Sequence, residues 1–337
     1  MKLPPGKLRN DLLREVVLPN LGMEDERIIY GPREGFDSAV LEYDGENYLI
    51  VATDPTLGVP EEGFGFFTYH FASGDVAVFG ARPRWLVVDL LLPPGTPEAF
   101  LKRTMEELNS ECRRYGSSIV GGHTGVYPSL NEPTATTTAM GTVRKEELKL
   151  PLARPGDRII VTAKVALEFA VSASHFRGEL RRVLKPGELS RLRSMYRLET
   201  VVPDALTARP FVRGMHDATE GGLTALHEIA DNSGLGFLVK ASELKLDPLV
   251  RKVLEFYDLE PWSVSSSGTL IAITPPENSA PLIAELRKNG IEAFDIGEFT
   301  EGRERLLMED GSERPFPRFE GDPYVELYAR PSPDFEP

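Results

Sequence analysis

This sequence of 337 residues has only one cysteine, Cys112, and no glutamine. A single thiol excludes a disulfide framework and a metal site built from clustered thiolates. The missing glutamine, together with many prolines and glutamates, indicates a thermophilic source, because amide and thiol side chains are chemically fragile at high temperature. This bias carries no information about activity.

Long apolar runs are also missing. No window approaches the roughly 18 consecutive apolar residues that identify a membrane-spanning helix, and the N-terminal residues contain no apolar run of the kind found in signal peptides. We therefore expect a cytoplasmic protein without a membrane partner.

The sequence lacks an excess of positive charge. Its 52 acidic and 38 basic residues give a formal net charge of −14, which argues against nucleic acid as a partner. An acidic protein can still bind a polyanion such as ATP when metal cations lie between the charges. The Walker and dinucleotide-binding glycine motifs are absent, so the familiar nucleotide folds are not supported.

The length of the chain predicts two domains. Short β runs alternate with amphipathic helical runs, among them a strand at Trp85–Leu92 and a helix at Pro97–Tyr115 that Gly116 would cap. The charged, proline-containing segment Lys145–Asp157 marks the boundary. We predict domains of residues 1–150 and 151–337, both α/β (α+β) and mixed rather than doubly wound.

Four aspartates lie at predicted ends of strands or helices: Asp37, Asp54, Asp75 and Asp217. Mg²⁺ prefers oxygen ligands and is commonly held by one or two carboxylates plus substrate phosphates. Aspartate is also common at turns and helix N-caps, because its side chain accepts hydrogen bonds from nearby backbone amides. Four such sites in glycine- and threonine-rich surroundings favour a metal site, with Asp54 and Asp75 as its strongest members.

A glycine pair in the first half, Gly121–Gly122, belongs to the run GGHTG after a predicted strand at Ser118–Val120. Backbone amides of adjacent glycines can approach a phosphate closely because no Cβ blocks them. Ordinary turns use the same residues. His123, inside this predicted loop, is either a metal ligand or proton carrier, or a hydrogen-bonded loop histidine.

A second glycine pair, Gly221–Gly222, occurs in HDATEGGL and opens a predicted amphipathic helix. Free amides at that helix N-terminus would form an anion site supported by the helix dipole. Thr219 and Glu220 could belong to the site or simply cap the helix. His227, further along the helix, is expected to be structural. The run Ser263–Gly268 is either a phosphate-facing loop or a plain turn.

These motifs resemble the aminoimidazole ribonucleotide synthase superfamily. That group includes the hydrogenase-maturation carbamoyl dehydratase, thiamine-monophosphate kinase, selenophosphate synthetase and formylglycinamidine ribonucleotide synthetase. The resemblance covers roughly Gly35 to Thr300. In chain order it rests on GFDSAV, TDPT, SGDVAVFGARP, GGHT, RPGDRIIVT and HDATEGGL.

The resemblance implies a two-domain fold whose N-terminal domain dimerises by joining sheets into a β-barrel. It also implies ATP, or another nucleotide, bound in a cleft with Mg²⁺. Asp37, Asp54, Asp75 and Asp217 would hold metal and phosphate. Gly121, Gly122 and Thr124 would form the nucleotide loop.

Several positions depart from the superfamily pattern. His123 replaces an acid, Glu220 replaces an arginine or glycine, and Gly74 replaces an asparagine. The segment Ala163–Ala170 replaces a turn that contains glycine and histidine. An imidazole in the site favours Mn²⁺ more than an all-oxygen set would. The sequence is nearest the carbamoyl dehydratase branch but ends PSPDFEP, without that branch's C-terminal cysteine, so we expect a different reaction.

Three functions follow as hypotheses. The preferred one is a metal-dependent phosphohydrolase in which Asp217, Glu220 or His123 positions a water molecule. The alternative is an ATP-dependent synthetase, kinase or maturation factor that phosphorylates an oxygen of a second substrate. The third is a nucleotide-sensing scaffold without turnover. The sequence does not identify the substrate.

Overall fold

The computed structural model describes residue 3, residues 5–318 and residues 321–325. The chain divides into two units. The six-stranded unit consists of Glu24–Pro32 and Phe36–Lys149, and the seven-stranded unit of Met1–Met23, Arg33–Gly35 and Leu150–Pro337. The predicted first domain, residues 1–150, therefore differs from the six-stranded unit, because the first 23 residues belong with the second half of the chain.

In the described part of the chain the α-helices are α1 Asn10–Leu12, α2 Phe64–Val78, α3 Glu98–Tyr115, α4 Leu167–Phe176, α5 Pro186–Ser194, α6 Val202–Ala208, α7 Ala225–Ser233, α8 Pro248–Tyr257 and α9 Pro276–Lys288. The strands are β1 Ile28–Tyr30, β2 Ala39–Glu42, β3 Asn47–Thr56, β4 Trp85–Leu92, β5 Ser118–Val126, β6 Thr134–Arg144, β7 Arg158–Thr162, β8 Gly214–Ala218, β9 Gly236–Lys240, β10 Thr269–Thr274, β11 Ala293–Thr300, β12 Arg305–Glu309 and β13 Ser312–Pro315.

The six-stranded unit has a mixed sheet in the order β1-β2-β3-β6-β4-β5, in which β4 and β5 run parallel. Buried and half-buried residues alternate along β6, so this strand is covered on one face. Helix α2 packs against β3, β6 and α3 and is buried along almost its whole length. Helix α3 ends at Gly116, whose φ of 73° is the left-handed cap that the sequence predicts.

The seven-stranded unit also has a mixed sheet, in the order β13-β12-β9-β11-β7-β10-β8. Every residue of β10 is buried, as expected for a strand with four consecutive apolar residues at its centre. Strand β10 pairs antiparallel with both β7 and β8. The pairing with β10 fixes the register of β8, and with it the point at which the loop after β8 begins. The prediction of two mixed α/β units is confirmed. Within residues 5–318 and 321–325, no helix combines the length and apolar character needed to cross a membrane.

Candidate functional site

The motif HDATEGGL begins inside the seven-stranded sheet. His216 and Asp217 are buried on β8, opposite Ile271 and Leu270 of β10. His216 Nδ1 donates a hydrogen bond of 2.6 Å to the Asp217 carbonyl oxygen and lies 3.5 Å from Asp217 Oδ1. Its Nε2 lies 3.5 Å from Oε2 of Glu228, on α7. Two carboxylates therefore flank one imidazole.

Both of these carboxyl groups are held in the ionised form. Burial raises the pKa of Asp217, but the hydrogen bond and charge of His216 together with the charge of Lys7 outweigh it, so the pKa of Asp217 is lowered. The same balance lowers the pKa of Glu228. The sequence analysis did not identify His216 or Glu228 as site residues. Glu228 could have been found, because it follows Asp217 in the first turn of the next helix.

The N-terminal segment binds the turn that follows β8. The Lys7 backbone amide donates a hydrogen bond of 2.9 Å to Glu220 Oε1, and Lys7 Nζ donates one of 3.3 Å to Thr219 Oγ1. Gly6 has a φ of 98°, and a Cβ there would lie 2.9 Å from Glu220 Oε1. Glu220 thus binds the N-terminal segment, and no spacing in the sequence predicts this contact over more than 200 residues.

The predicted anion site at Gly221–Gly222 contains a carboxylate of the chain itself. The Gly221 amide donates a hydrogen bond of 2.8 Å to Asp322 Oδ2, and Ser265 Oγ donates one of 2.7 Å to the same oxygen. The expectation of a free amide is therefore wrong for Gly221. A short 3₁₀ turn, Gly222–Thr224, also lies between Gly221 and α7.

The run Ser263–Gly268, predicted as a phosphate loop or a plain turn, connects three parts of this unit. The Ser266 amide donates to the Thr219 carbonyl oxygen at 3.2 Å, and Ser266 Oγ accepts from the Ala166 amide at 2.8 Å. The Ser267 amide donates to Glu168 Oε2 at 2.9 Å. The loop therefore holds the turn after β8 and the start of α4 in one hydrogen-bonded network.

Two further carboxyl groups accompany this loop. Glu168 is half-buried, and burial raises its pKa to about 7; the nearby charges of Asp322 and Glu220 also raise it, while hydrogen bonds from Ser267 lower it. Glu199 is 3% exposed, and its Oε1 has no hydrogen-bond partner among the described residues. Burial and the charge of Glu168 raise the pKa of Glu199 well above its usual value. The sequence analysis singled out neither residue.

The aspartates of the six-stranded unit are placed differently from one another. Asp37 is half-buried in the loop before β2, as predicted. Asp54 lies within β3, opposite Thr137, rather than after the strand. Asp75 is 5% exposed inside α2, so its predicted turn position is wrong. The metal-binding role of these three residues stays a prediction.

The run GGHTG is not a loop. Gly121, Gly122, His123 and Thr124 are all part of β5, the edge strand paired with β4. A Cβ at Gly122 would lie 1.8 Å from the Val88 carbonyl oxygen, and its φ of 142° also favours glycine. Gly122 is therefore required by a close approach of two strands, and the predicted loop conformation of this run is wrong. The nucleotide-binding role of Gly121, Gly122 and Thr124 stays a prediction.

His123 is exposed on β5, where its Nε2 forms a hydrogen bond of 2.7 Å with the Tyr127 hydroxyl. It stands opposite Asp89 of β4, whose Oδ1 is buried without a hydrogen-bond partner in the part of the chain that the structure describes. Its role as a metal ligand or proton carrier stays a prediction. His227, by contrast, bonds the Pro317 carbonyl oxygen and Arg305, in agreement with the structural role expected for it.

Comparisons with known proteins cover both units. The sequence matches the family models "AIR synthase related protein, N-terminal domain" over residues 35–143 and "AIR synthase related protein, C-terminal domain" over residues 154–308. It is 32% identical over 270 residues to the carbamoyl dehydratase HypE of Azotobacter vinelandii, a match that spans 77% of each chain.

Solved structures agree with this match. The crystal structure of Escherichia coli HypE, a hydrogenase maturation protein, is similar with a TM-score of 0.70 and 25% identity, over 81% of this chain and 87% of that one. A hydrogenase maturation protein HypE solved in complex with ATP has a TM-score of 0.67 over 95% of this chain and 97% of that one. At 22% identity, the second likeness concerns the fold alone.

Proposed function

Because this chain belongs to the AIR synthase-related family, we propose that it is an ATP-dependent enzyme that phosphorylates an oxygen of a second substrate. The observation that carries the proposal is the 32% identity to a carbamoyl dehydratase through 77% of both chains. Removing an oxygen as water requires a good leaving group, and phosphorylation by ATP provides one. This supports the alternative hypothesis over the phosphohydrolase that the sequence analysis preferred.

The preference for water as acceptor rested on the C-terminal PSPDFEP, which lies outside the described residues. The second substrate that we propose carries a carbamoyl-like or hydroxyl oxygen, since either can attack the γ-phosphorus of ATP. A TM-score of 0.67 to a protein solved with ATP supports a fold that can accommodate the nucleotide. The identity of the second substrate is left open.

Residues of the seven-stranded unit fit a divalent cation. Asp217 and Glu228 have lowered pKa values, and His216 Nδ1 donates to a carbonyl oxygen, so Nε2 is the ring nitrogen that would bind a cation once the imidazolium has lost its proton. Carboxylate oxygens suit Mg²⁺, and the imidazole extends the fit to Mn²⁺. The bound cation would neutralise the charge of the triphosphate and of the leaving group. For the six-stranded unit, taken by itself, the metal-binding role proposed for Asp37, Asp54 and Asp75 is kept as a separate prediction.

The chain's own residues would orient the phosphates. Lys7 brings a positive charge to the Thr219 hydroxyl, beside carboxylates that would otherwise repel a triphosphate. In our proposal its ammonium group binds a phosphate oxygen, and the Thr219 hydroxyl donates a second hydrogen bond. Glu220 holds the N-terminal segment in place through the Lys7 amide.

The experiment is an ATP turnover assay with Mg²⁺ or Mn²⁺, with and without acceptors that carry carbamoyl or hydroxyl groups. We expect ADP formation to rise when a suitable acceptor is added, and Asp217→Asn to abolish the rise. Phosphate release from ATP that no acceptor increases would favour the phosphohydrolase. Tight nucleotide binding without any turnover would favour the scaffold.

We also propose a homodimer joined at β5. This strand lies at the edge of its sheet, and Val120 and Val126 on it are 56% and 59% exposed. An exposed apolar edge invites pairing with another strand, and a second copy of the chain would cover it. Val120→Lys with Val126→Lys should give a monomer in light scattering. Val183→Lys, on the other unit, is the matched control and should leave the dimer intact.

A further inference from the structure

We propose that Glu168 is the catalytic base of this enzyme, accepting the proton that the second substrate's nucleophilic group gives up as its oxygen attacks the γ-phosphorus of ATP. The inference rests on the proposed function and adds a residue to it. Glu168 lies in the segment Ala163–Ala170, where the sequence departs from the superfamily pattern.

The position of Glu168 is the first argument. Its Oε2 accepts a hydrogen bond of 2.9 Å from the Ser267 amide, and the neighbouring Ser266 amide donates to the Thr219 carbonyl oxygen. One loop thus holds Glu168 and the turn after β8 by adjacent amides. A carboxyl group placed in this way lies beside the residues to which we assign phosphate binding.

The surroundings of Glu168 are the second argument. Glu199, almost fully buried, interacts with Glu168 through charge, and its Oε1 has no hydrogen-bond partner within residues 5–318 and 321–325. Asp322 and Glu220 add negative charge around Glu168. Of the two glutamates, only Glu168 is partly exposed, so it is the one that can exchange a proton with a bound molecule or with water.

The electrostatics suit this role. The pKa of Glu168 is raised to about 7, mainly by burial, so near neutral pH much of the carboxyl is ionised while remaining a far better base than an ordinary carboxylate. Burial and the charge of Glu168 raise the pKa of Glu199 well above its usual value, which makes Glu199 a poor candidate for an ionised base.

The step balances without any other reactant. The acceptor's X–H bond breaks, and its proton moves to the Glu168 carboxylate. The acceptor oxygen forms a bond to the γ-phosphorus, while the bond from that phosphorus to the β-bridging oxygen breaks and ADP leaves with the electron pair. Glu168 then returns the proton to solvent. For a carbamoyl acceptor the proton comes from nitrogen, and a carbon–nitrogen double bond forms as the oxygen attacks.

The first test uses ATP and Mg²⁺ with water as the acceptor probe. We expect Glu168→Gln to lower kcat about 100-fold, the lower end of the range for general base catalysis, and to leave the KM for ATP within about threefold because no phosphate contact is lost. The matched control is Glu255→Gln, an exposed glutamate on α8, which should behave as wild type. Formate should restore part of the activity of Glu168→Ala, since a small carboxylate can replace a base but not a structural brace.

The second test is the pH profile. In the wild type, kcat should fall on the acid side with a midpoint near the titration of Glu168. Glu220→Gln removes one neighbouring negative charge and should move that midpoint to lower pH. An acid limb that disappears in Glu168→Gln supports the inference, and an acid limb unchanged in that variant overturns it.

Infrared titration of the carboxyl bands, assigned by loss in Glu168→Gln, separates this inference from the proposed function. A Glu168 band that titrates near neutral pH supports the base even if the assays above show no turnover, in which case the proposed function fails alone. A band that titrates as an ordinary surface glutamate overturns the inference. Wild-type turnover with an unaffected Glu168→Gln overturns the inference while the proposed function stands.

Discussion

The two glycine pairs of this chain, Gly121–Gly122 and Gly221–Gly222, look alike in sequence but are built differently. The first lies in an edge strand, where a neighbouring strand passes too close for a side chain. The second lies in a turn held by hydrogen bonds from chain segments far apart in sequence. In each pair the second glycine, Gly122 or Gly222, is required by a close approach of backbone. Whether a ligand can bind beside it depends on the surrounding polar groups.

Substitution of Gly122 should have the largest effect. A Cβ at 1.8 Å from the Val88 carbonyl oxygen cannot be accommodated without moving β4 or β5. We expect Gly122→Ala to cost about 3–5 kcal/mol of unfolding free energy, in the range of severe backbone and packing defects. Gly121→Ala is the matched control, because its Cβ would meet only Val87 Cγ2 at 4.0 Å. Equal losses in denaturant unfolding of the two variants would contradict the close-approach explanation.

Substitutions at the turn after β8 should mainly affect activity, whereas substitutions in the edge strand β5 should mainly affect stability. Asp217→Asn should reduce ATP turnover at least 100-fold, equivalent to about 2.7 kcal/mol of transition-state free energy, because the carboxylate that we propose as a metal ligand becomes a neutral amide. Asp54→Ala and Asp75→Ala should each abolish metal-dependent activity too. If Gly121→Ala, in the strand, reduces turnover as strongly as Asp217→Asn, the proposed difference between the two regions is wrong.

The buried carboxyl groups beside the turn should make the seven-stranded unit sensitive to pH. A carboxyl whose pKa rises from 4.5 to about 7 on folding contributes stability below pH 4.5, and this contribution is lost as the pH rises through 7. Glu168→Gln removes the free-energy cost of ionising this carboxyl group in the folded protein. The unfolding free energy of the variant relative to wild type should therefore rise between pH 5 and pH 8, by up to about 2 kcal/mol. Calorimetry at both pH values measures it, and a constant difference would count against a raised pKa.

The smallest effect is expected at Ala166, just before α4. Its φ of 60° is left-handed, which costs a residue with a Cβ about 1 kcal/mol. Ala166→Gly relieves that strain but increases the entropy of the unfolded chain. The net gain should be about 0.5 kcal/mol, visible as a small rise in Tm. Ala173→Gly, inside α4, should instead lower the Tm.

Local signals in the sequence are enough for part of this fold. Strand β4 was predicted with its observed bounds because eight residues are almost uniformly apolar, and α3 because amphipathic periodicity ends at a glycine cap. The GGHTG run misled because glycine, threonine and histidine suit a turn as well as a strand. What requires glycine there is the backbone of β4, which lies more than 30 residues away in sequence.

The residues of the candidate site were even harder to predict from local sequence than the strands and helices. Asp217 could be predicted from its motif, whereas Lys7, Glu168 and Asp322 come from three distant segments and carry no motif of their own. Their approach depends on the order of strands in the seven-stranded sheet. Of the candidate ligands in this unit, the sequence therefore indicated Asp217 and Thr219 but not His216, Glu228 or Lys7.

The hydrogen bonds from Gly221 and Ser265 to Asp322 also bear on how the chain is made. A ribosome adds residues from the N-terminus, and domains generally fold as units as they emerge. The six-stranded unit is continuous from Phe36 to Lys149 and can form while synthesis proceeds. The turn after β8 must wait about 100 residues for Asp322, so during synthesis Lys7 and the rest of the N-terminal segment remain without their final partners.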